Sequence, residues 1–370
     1  MTTLALTELT LSHFRSHKLA RISCGPLPVA IYGPNGAGKT NILEAVSLFS
    51  PGRGMRRASA EDMTRRPEAL GWKITGLLQS QEQTHEIEMW SENGNPRSTK
   101  ANSKPVPQNR LAELSRVLWL IPAMDRLWIE GAEGRRRFLD RMALSFFPNH
   151  AEASLTYEKT MRERNKLLKE NVRDPMWYGV LETCLAETGA VIHENRVQTL
   201  DFLSKAQTQA ETSFPTADLE LIHAEDAMPV DSADLKDAFE ASRFRDLAAG
   251  RTLVGPHRAD LYGVFTAKGV PAKDCSTGEQ KALLISLILA NARALCAQIG
   301  APPILLLDEV AAHLDATRRA SLYAEISALG AQAWMTGTEA SLFDSLSTQS
   351  MHLEVTENAG VSETKVVQLD

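Results

Sequence analysis

The chain opens on alternation. Leu4, Leu6, Leu9 and Leu11, then Leu19 and Ile22, are spaced so that short strands carry their apolar side chains on one face. Val29-Ala30-Ile31-Tyr32 closes the series as an apolar strand that leads into a glycine-rich turn. Beyond the turn, Ile42, Leu43, Ala45, Val46 and Leu48 predict a helix over residues 40–49 packed on a sheet. Over residues 70–89 alternation returns, and Asn93-Gly94-Asn95-Pro96 and Ser103-Lys104-Pro105-Val106-Pro107 supply the turns of hairpins.

Residues 111–250 change character, being rich in Ala, Leu, Glu, Arg and Lys with few β-branched runs, and read as mainly helical. Within them Asp174-Pro175 separates two amphipathic segments, with Asp as a cap and Pro in the first turn of the second helix. Trp177, Leu181, Leu185, Ile192 and Leu200 share roughly one face of that second segment. A single helix over 176–212 would be about 55 Å long at ~1.5 Å per residue, the size of a compact accessory domain and not of a long coiled coil. After Arg251 strands are expected again at 261–265 and 303–307, flanking a helix over 281–297. The expected organisation is an α/β domain split in sequence, 1–110 and 251–370, around a helical second domain at 111–250.

Composition narrows the reading. With 43% apolar and 23% charged residues over 370 positions, the chain can bury the cores of two domains without disulfides or metals. The formal charge of 40 − 46 = −6 excludes a polycation that coats nucleic acid indiscriminately, so any DNA contact needs a local basic patch. Cys24, Cys184, Cys275 and Cys296 are scattered without C-x-x-C pairing, as expected of free thiols in a reducing cytosol. The N-terminus reads as a strand, not a signal peptide. The longest near-apolar run, 282–290, is nine residues, about half the roughly 18 to 20 that a bilayer span needs. A cytoplasmic protein without a membrane partner is expected.

Chemistry concentrates in three strings. Gly33-Pro34-Asn35-Gly36-Ala37-Gly38-Lys39-Thr40, followed by Asn41, satisfies G-x-x-x-x-G-K-[ST] between a strand and a helix. Glycines let successive N–H groups converge on phosphate oxygens, the helix N-terminus adds positive potential, Lys39 reaches the β- and γ-phosphates, and the Thr40 hydroxyl ligates Mg²⁺. ATP with Mg²⁺ is the expected cofactor. Pro303-Ile304-Leu305-Leu306-Leu307-Asp308-Glu309 is an apolar strand ending in two acids. There Asp308 holds the Mg²⁺ shell and Glu309 orients and deprotonates the attacking water. Cys275-Ser276-Thr277-Gly278-Glu279-Gln280-Lys281 opens a long apolar helix. Its serine and glycine make either an anion site or a capping box between Ser276 and Glu279.

The order of these strings, with Leu314-Asp315 after the acid pair, resembles ABC-type ATPases. The resemblance implies that Ser276 and Gly278 face the γ-phosphate of a second subunit, that Asp315 lies at the seam, and that ATP drives a head-to-tail homodimer. Leu9-Thr10-Leu11-Ser12-His13-Phe14-Arg15-Ser16-His17 resembles the opening of SMC, RecN and RecF heads, where the arginine, here Arg15, approaches the nucleotide. Gly134-Arg135-Arg136-Arg137-Phe138-Leu139-Asp140 and Gly255-Pro256-His257-Arg258-Ala259-Asp260-Leu261 resemble strings of the RecF family, although Ala259 stands where that family has an acid. Its helical insertion is short, like the one expected here, and the region of Met335-Thr336-Gly337-Thr338-Glu339 lacks the switch histidine of transporter subunits.

The resemblance implies an SMC/RecF head-like fold and a weak, DNA-stimulated ATPase of recombinational repair. It also implies sequence-independent DNA binding at gaps or junctions, with RecO and RecR as partners in loading RecA. An ABC transporter ATP-binding subunit is the alternative. Arg53, Arg56, Arg57, Arg65 and Arg66 cluster after the P-loop helix and form either a phosphate-binding patch or a basic surface loop. Arg135 to Arg137 are either a solvated helix face or a phosphate or partner contact, and His257 and Arg258 either shape the fold around the nucleotide or pair with Asp260.

Overall fold

The computed structural model describes residues 4–66, 68–80, 83–92, 94–223, 228–346 and 350–368. The strand, turn and helix order of the N-terminal third is β1 (Ala5–Phe14), β2 (His17–Ser23), β3 (Val29–Tyr32), α1 (Lys39–Ser47), β4 (Trp72–Ser80), β5 (Gln83–Ser91), β6 (Ser98–Ala101) and β7 (Lys104–Pro105). Of the two hairpin turns, the one at 93–96 includes Asn93, which lies outside the described residues. A short α2 (Leu111–Leu114) and the strand β8 (Val117–Leu120) follow. The helical stretch holds α3 (Ala132–Phe146), α4 (Asn149–Lys169), α5 (Pro175–Thr208), β9 (Ala217–His223) and α6 (Ser232–Ala249). The remainder is β10 (Ala259–Phe265), β11 (Val270–Pro271), α7 (Thr277–Ile299), β12 (Ile304–Leu307), α8 (Ala316–Leu329), β13 (Ala333–Gly337), β14 (Met351–Asn358) and β15 (Val361–Val367).

Two compact units result. The first comprises 1–125, 209–215 and 281–370, and the second comprises 126–208 and 216–280. These divisions differ from the composition shifts at 110 and 250. Val117-Leu118-Trp119-Leu120 is a strand, and it pairs in parallel with β12 inside the first unit. At the other end, β10 pairs along its length with β9 of the helical stretch, so 251–280 stays with the second unit. Both strands were hidden in a segment whose composition favours helix.

In the first unit an antiparallel sheet runs β2-β1-β4-β5-β6-β7, and a mostly parallel sheet runs β15-β14-β3-β13-β12-β8. The wholly apolar β3 and β12 are interior strands of the parallel sheet, covered on both faces. One core unites Leu9 and Leu11 of β1, Ile42 and Val46 of α1, and Ile304 and Leu306 of β12. Buried Gln332 fastens the sheets together: its amide donates to the Leu6 carbonyl at 2.9 Å and the Gly25 carbonyl at 2.8 Å, and its oxygen accepts from Leu6 N at 2.9 Å. Helix α7 is longer than the apolar run within it. By length and composition its 23 residues suffice to cross a membrane, but 72% of its apolar window is buried inside the protein, as in a core helix.

The second unit is stitched by buried charge. Asp174 caps α5 by accepting from Met176 N at 2.9 Å, and α5 runs unbroken for 34 residues, about 50 Å. Arg164 of α4, fully buried, donates to Glu182 of α5 at 3.0 Å, to Asp246 of α6 at 2.7 Å and to the Thr252 hydroxyl at 2.9 Å. A buried arginine answered by two carboxylates is tolerable because the geometry satisfies its donors. Its removal takes a buried cation away from both carboxylates, leaving Glu182 to Arg243 and Asp246 to the Ser242 hydroxyl and Leu253 N. We expect Arg164→Met to destabilise the protein by about 3–5 kcal/mol, read as a lower midpoint in urea unfolding followed by circular dichroism. An unchanged midpoint would mean that the network contributes nothing net.

The arginine and GPHR strings meet in this same unit. Arg135 grips Asp260 with two bonds of 2.7 and 2.8 Å, and Arg136 donates to the Ala259 carbonyl at 2.8 Å. His257 Nε2 faces the Thr252 carbonyl at 3.1 Å, so it carries the proton, and Nδ1 accepts from the Tyr157 hydroxyl at 2.7 Å. Burial first, and then the neighbouring arginines, push His257 down to about 4, which keeps it neutral. Arg135, not Arg258, is the partner of Asp260, and His257 serves packing within the helical unit.

Candidate active site

Strand β13 lies between β3 and β12, all three parallel, so the glycine turn after β3 and the acid pair after β12 emerge at the same edge of the sheet. The turn is shaped by close approach. A Cβ on Gly33, where φ is 147°, would lie 2.0 Å from the Val355 carbonyl oxygen of β14. A Cβ on Gly38, where φ is 105°, would lie 2.3 Å from the Ser362 hydroxyl. Around Gly38 the β1–β2 turn and β15 close in: Asn41 donates to the Ser16 hydroxyl at 2.7 Å, Ser362 donates to the same oxygen at 2.7 Å, and buried His17 bonds the Gly38 carbonyl through Nε2 at 3.1 Å. Burial holds His17 below its ordinary value, and a carbonyl partner makes Nε2 the donor.

Pro34, Asn35 and Gly36 form the exposed crest of the turn, and Ala37 is buried beneath it. Among the described residues no side chain caps α1, so its first amides are left to an anion along with the helix dipole. The Lys39 ammonium lies in the turn, donating to the Gly33 and Pro34 carbonyls at 2.7 and 2.8 Å. Burial lowers its pKa, and the carboxylates of Glu309 and Asp308 oppose that shift.

The Thr40 hydroxyl donates to Asp308 Oδ1 at 2.9 Å, joining positions 268 residues apart. A hydroxyl and a carboxylate at one point are hard oxygen donors of the kind Mg²⁺ takes. Glu309 follows with φ of 55°, a left-handed conformation outside the turn residues that usually adopt it. Among the described residues its carboxylate accepts no hydrogen bond. Thr336 of β13 was not singled out by sequence reasoning, yet it donates to Asp308 Oδ1 at 2.8 Å and accepts from Glu309 N at 2.8 Å. Only the strand order brings it there. Its mark in the sequence is its place in the 335–339 string, where transporter subunits carry a switch histidine.

Other expected residues occupy different settings. Arg15, with φ of 55°, turns its guanidinium onto the fully buried Glu44 of α1 through bonds of 2.9 and 2.7 Å. Arg56 shares Glu44 at 3.3 Å and also bonds Asn41 at 2.9 Å. Thus the Asn41 side chain is committed to Ser16 and Arg56. Arg65 departs from the expected surface patch. It is 4% exposed and donates to the Ser16 and Gly360 carbonyls at 2.8 Å, because its chain folds back under the β1–β2 turn. Arg53, Arg57 and Arg66 are exposed.

Ser276 and Gly278 are exposed in the second unit. There Ser276 and Glu279 form the capping box: Ser276 N and Oγ donate to Glu279 at 2.9 and 2.8 Å. Lys268 and Ser276 together hold the Glu279 carboxyl down to about 2. Asp315 is exposed and caps α8 by accepting from Arg318 N at 2.8 Å.

A family model, the RecF/RecN/SMC N terminal domain, matches residues 5–362. Curated relatives named DNA replication and repair protein RecF include one from Rhizobium rhizogenes, 43% identical over 95% of this chain and 96% of its own length. Another, from Caulobacter vibrioides, is 43% identical over 96% and 97%. The chain belongs to the RecF family. That family is one of ABC/SMC-type ATPases, and the α/β head with its helical insertion is the fold of its solved members. The structure of the recombination mediator protein RecF-ATPrS in the RecFOR pathway superposes with a TM-score of 0.84 at 24% identity, covering 98% of both chains. An Smc head domain from Pyrococcus furiosus, bound to the C-terminal domain of ScpA, superposes at 0.58 with 17% identity over 99% of this chain and 97% of its own.

Proposed function

We propose that this chain is an ATP-driven DNA-binding protein of recombinational repair in the cytoplasm. ATP joins two copies head to tail on DNA at gaps or single-strand/double-strand junctions, and slow, DNA-stimulated hydrolysis releases them. The relatives are DNA replication and repair proteins, and the RecF structures belong to the RecFOR pathway. On that likeness RecO and RecR are the partners and RecA loading is the outcome. The relatives favour this reading over a transporter subunit.

The observation that carries the reading is the Thr40–Asp308 bond, which closes the phosphate turn onto the acid pair. Lys39 turns its ammonium from the Gly33 and Pro34 carbonyls to the β- and γ-phosphates, and the uncapped amides of α1 take phosphate oxygens. Thr40 and Asp308 hold Mg²⁺, which supplies charge neutralisation on the phosphates. Glu309 orients the attacking water and takes its proton. Ser276 and Gly278 of the second copy face the γ-phosphate, and Asp315 lies at the seam between copies.

For DNA the surface is Arg53, Arg57 and Arg66, with Arg56 partly committed to Glu44 and Asn41 and Arg65 withdrawn into the fold. Fluorescence anisotropy on gapped duplex should show affinity that rises with ATP and falls steeply with salt. Changing Arg53, Arg57 and Arg66 to Gln should lower it and flatten the log–log salt slope by on the order of 0.9 for each phosphate that is no longer neutralised. Affinity indifferent both to ATP and to these changes would overturn the proposed DNA surface.

A further inference from the structure

The geometry points to Thr336 as a positioning residue for hydrolysis, acting through Glu309 without touching the nucleotide. This inference rests on Glu309 being the general base. The β12–β13 register pairs Leu307 with Met335, and the β13–β3 register pairs Thr336 with Ile31. Thr336 therefore stands on the central strand, between the strand that feeds the phosphate turn and the strand that delivers the acids.

Its hydroxyl has one proton, and the bonds around it leave no freedom in where that proton goes. Glu309 N–H can only donate, so the Thr336 oxygen accepts there at 2.8 Å. The proton then goes to Asp308 Oδ1 at 2.8 Å, the same oxygen that takes the Thr40 hydroxyl at 2.9 Å. The relay runs from the Glu309 amide through Thr336 to Asp308, and it is buried, with Thr336 at 0% exposure and Asp308 at 5%. A buried network whose members are all satisfied fixes its geometry.

What it fixes is a strained backbone. Glu309 has φ of 55°, which a glutamate adopts only where the surroundings over-determine it. The Thr336 oxygen is the partner of the amide on that residue, so it sets the direction in which Cα, and with it the carboxylate, leaves β12. Asp308 keeps its Thr40 bond whether or not residue 336 bears a hydroxyl. Loss of the hydroxyl should therefore misplace the base and spare nucleotide binding.

The test compares full-length wild type with Thr336→Val, which keeps the shape and removes the hydroxyl, Thr336→Ser, which keeps the hydroxyl, Glu309→Gln, and the Glu309→Gln/Thr336→Val double variant. Steady-state kcat and KM with gapped DNA, single-turnover hydrolysis and titration with a fluorescent ATP analogue are the readouts. Thr336→Val should lose roughly 10- to 100-fold in kcat, as for a displaced catalytic group. Its nucleotide affinity should stay within about two-fold while Thr336→Ser stays near wild type, and the double variant should be no slower than Glu309→Gln. If Thr336→Val does not fold, Thr336→Ala and the Ser rescue carry the same comparison. Wild-type kcat in a hydroxyl-free variant, a loss confined to nucleotide affinity, or a loss that adds fully to Glu309→Gln each overturns the role of Thr336. Wild-type turnover by Glu309→Gln instead overturns the general-base reading itself.

Discussion

Glu309→Gln should bind ATP as wild type does, hydrolyse it about 10² to 10⁴ times more slowly, and persist as an ATP-held dimer. Glu309 is half-buried beside the phosphate turn, and among the described residues its carboxylate accepts no hydrogen bond, so the change to an amide disturbs no structural bond. The backbone amide that ties Glu309 to Thr336 is retained in the variant. The loss is therefore confined to the proton-accepting oxygen. Single-turnover hydrolysis, nucleotide titration, and size-exclusion chromatography with light scattering in the presence of ATP and gapped DNA separate the three effects. Equal turnover by wild type and variant would remove Glu309 from the chemistry.

The second large effect belongs to the opposite side of the site. Lys39→Ala should weaken ATP binding by roughly 10- to 100-fold, the range for hydrogen bonds to a charged group, and with it ATP-dependent dimerisation and DNA affinity. Lys39 is 4% exposed and burial opposes its charge, so exchanging two backbone carbonyls for phosphate oxygens would give it a fully charged partner. Removing it also leaves the Gly33 and Pro34 carbonyls without that donor, and Lys39→Met, which keeps most of the side-chain volume, controls for collapse of the turn. Calorimetric titration with ATP and Mg²⁺ measures the loss. Wild-type affinity in both variants would exclude Lys39 from phosphate binding.

Much of this site is legible in one dimension because phosphate chemistry is local in sequence. Gly33 to Thr40 is a contiguous turn whose glycine, lysine and threonine spacing is read directly along the chain, although the approach that demands glycine at 33 is to Val355 of β14. The apolar run of β12 likewise announces its own burial, and the acids that follow it announce its exposed end. The arginines are less legible. A run of like charges does not reveal which member the chain folds over, and Arg65 is held by carbonyls at Ser16 and Gly360, the second of them 295 residues away.

By itself the sequence determined that there is a phosphate turn, an acid pair and a serine–glycine string opening an apolar helix, in an order found in ABC-type ATPases, because each is a contiguous pattern obeying local stereochemistry. Tertiary structure alone decided that Val117–Leu120 joins the parallel sheet, that residues 251–280 pack with the helical unit, and that His257 serves that unit's interior. It also decided that Thr336 bridges Asp308 and Glu309. The physical reason is strand order: β13 follows β12 in the chain but lies between β12 and β3 in the sheet, so a threonine with no motif of its own is carried to the point where the two motifs meet.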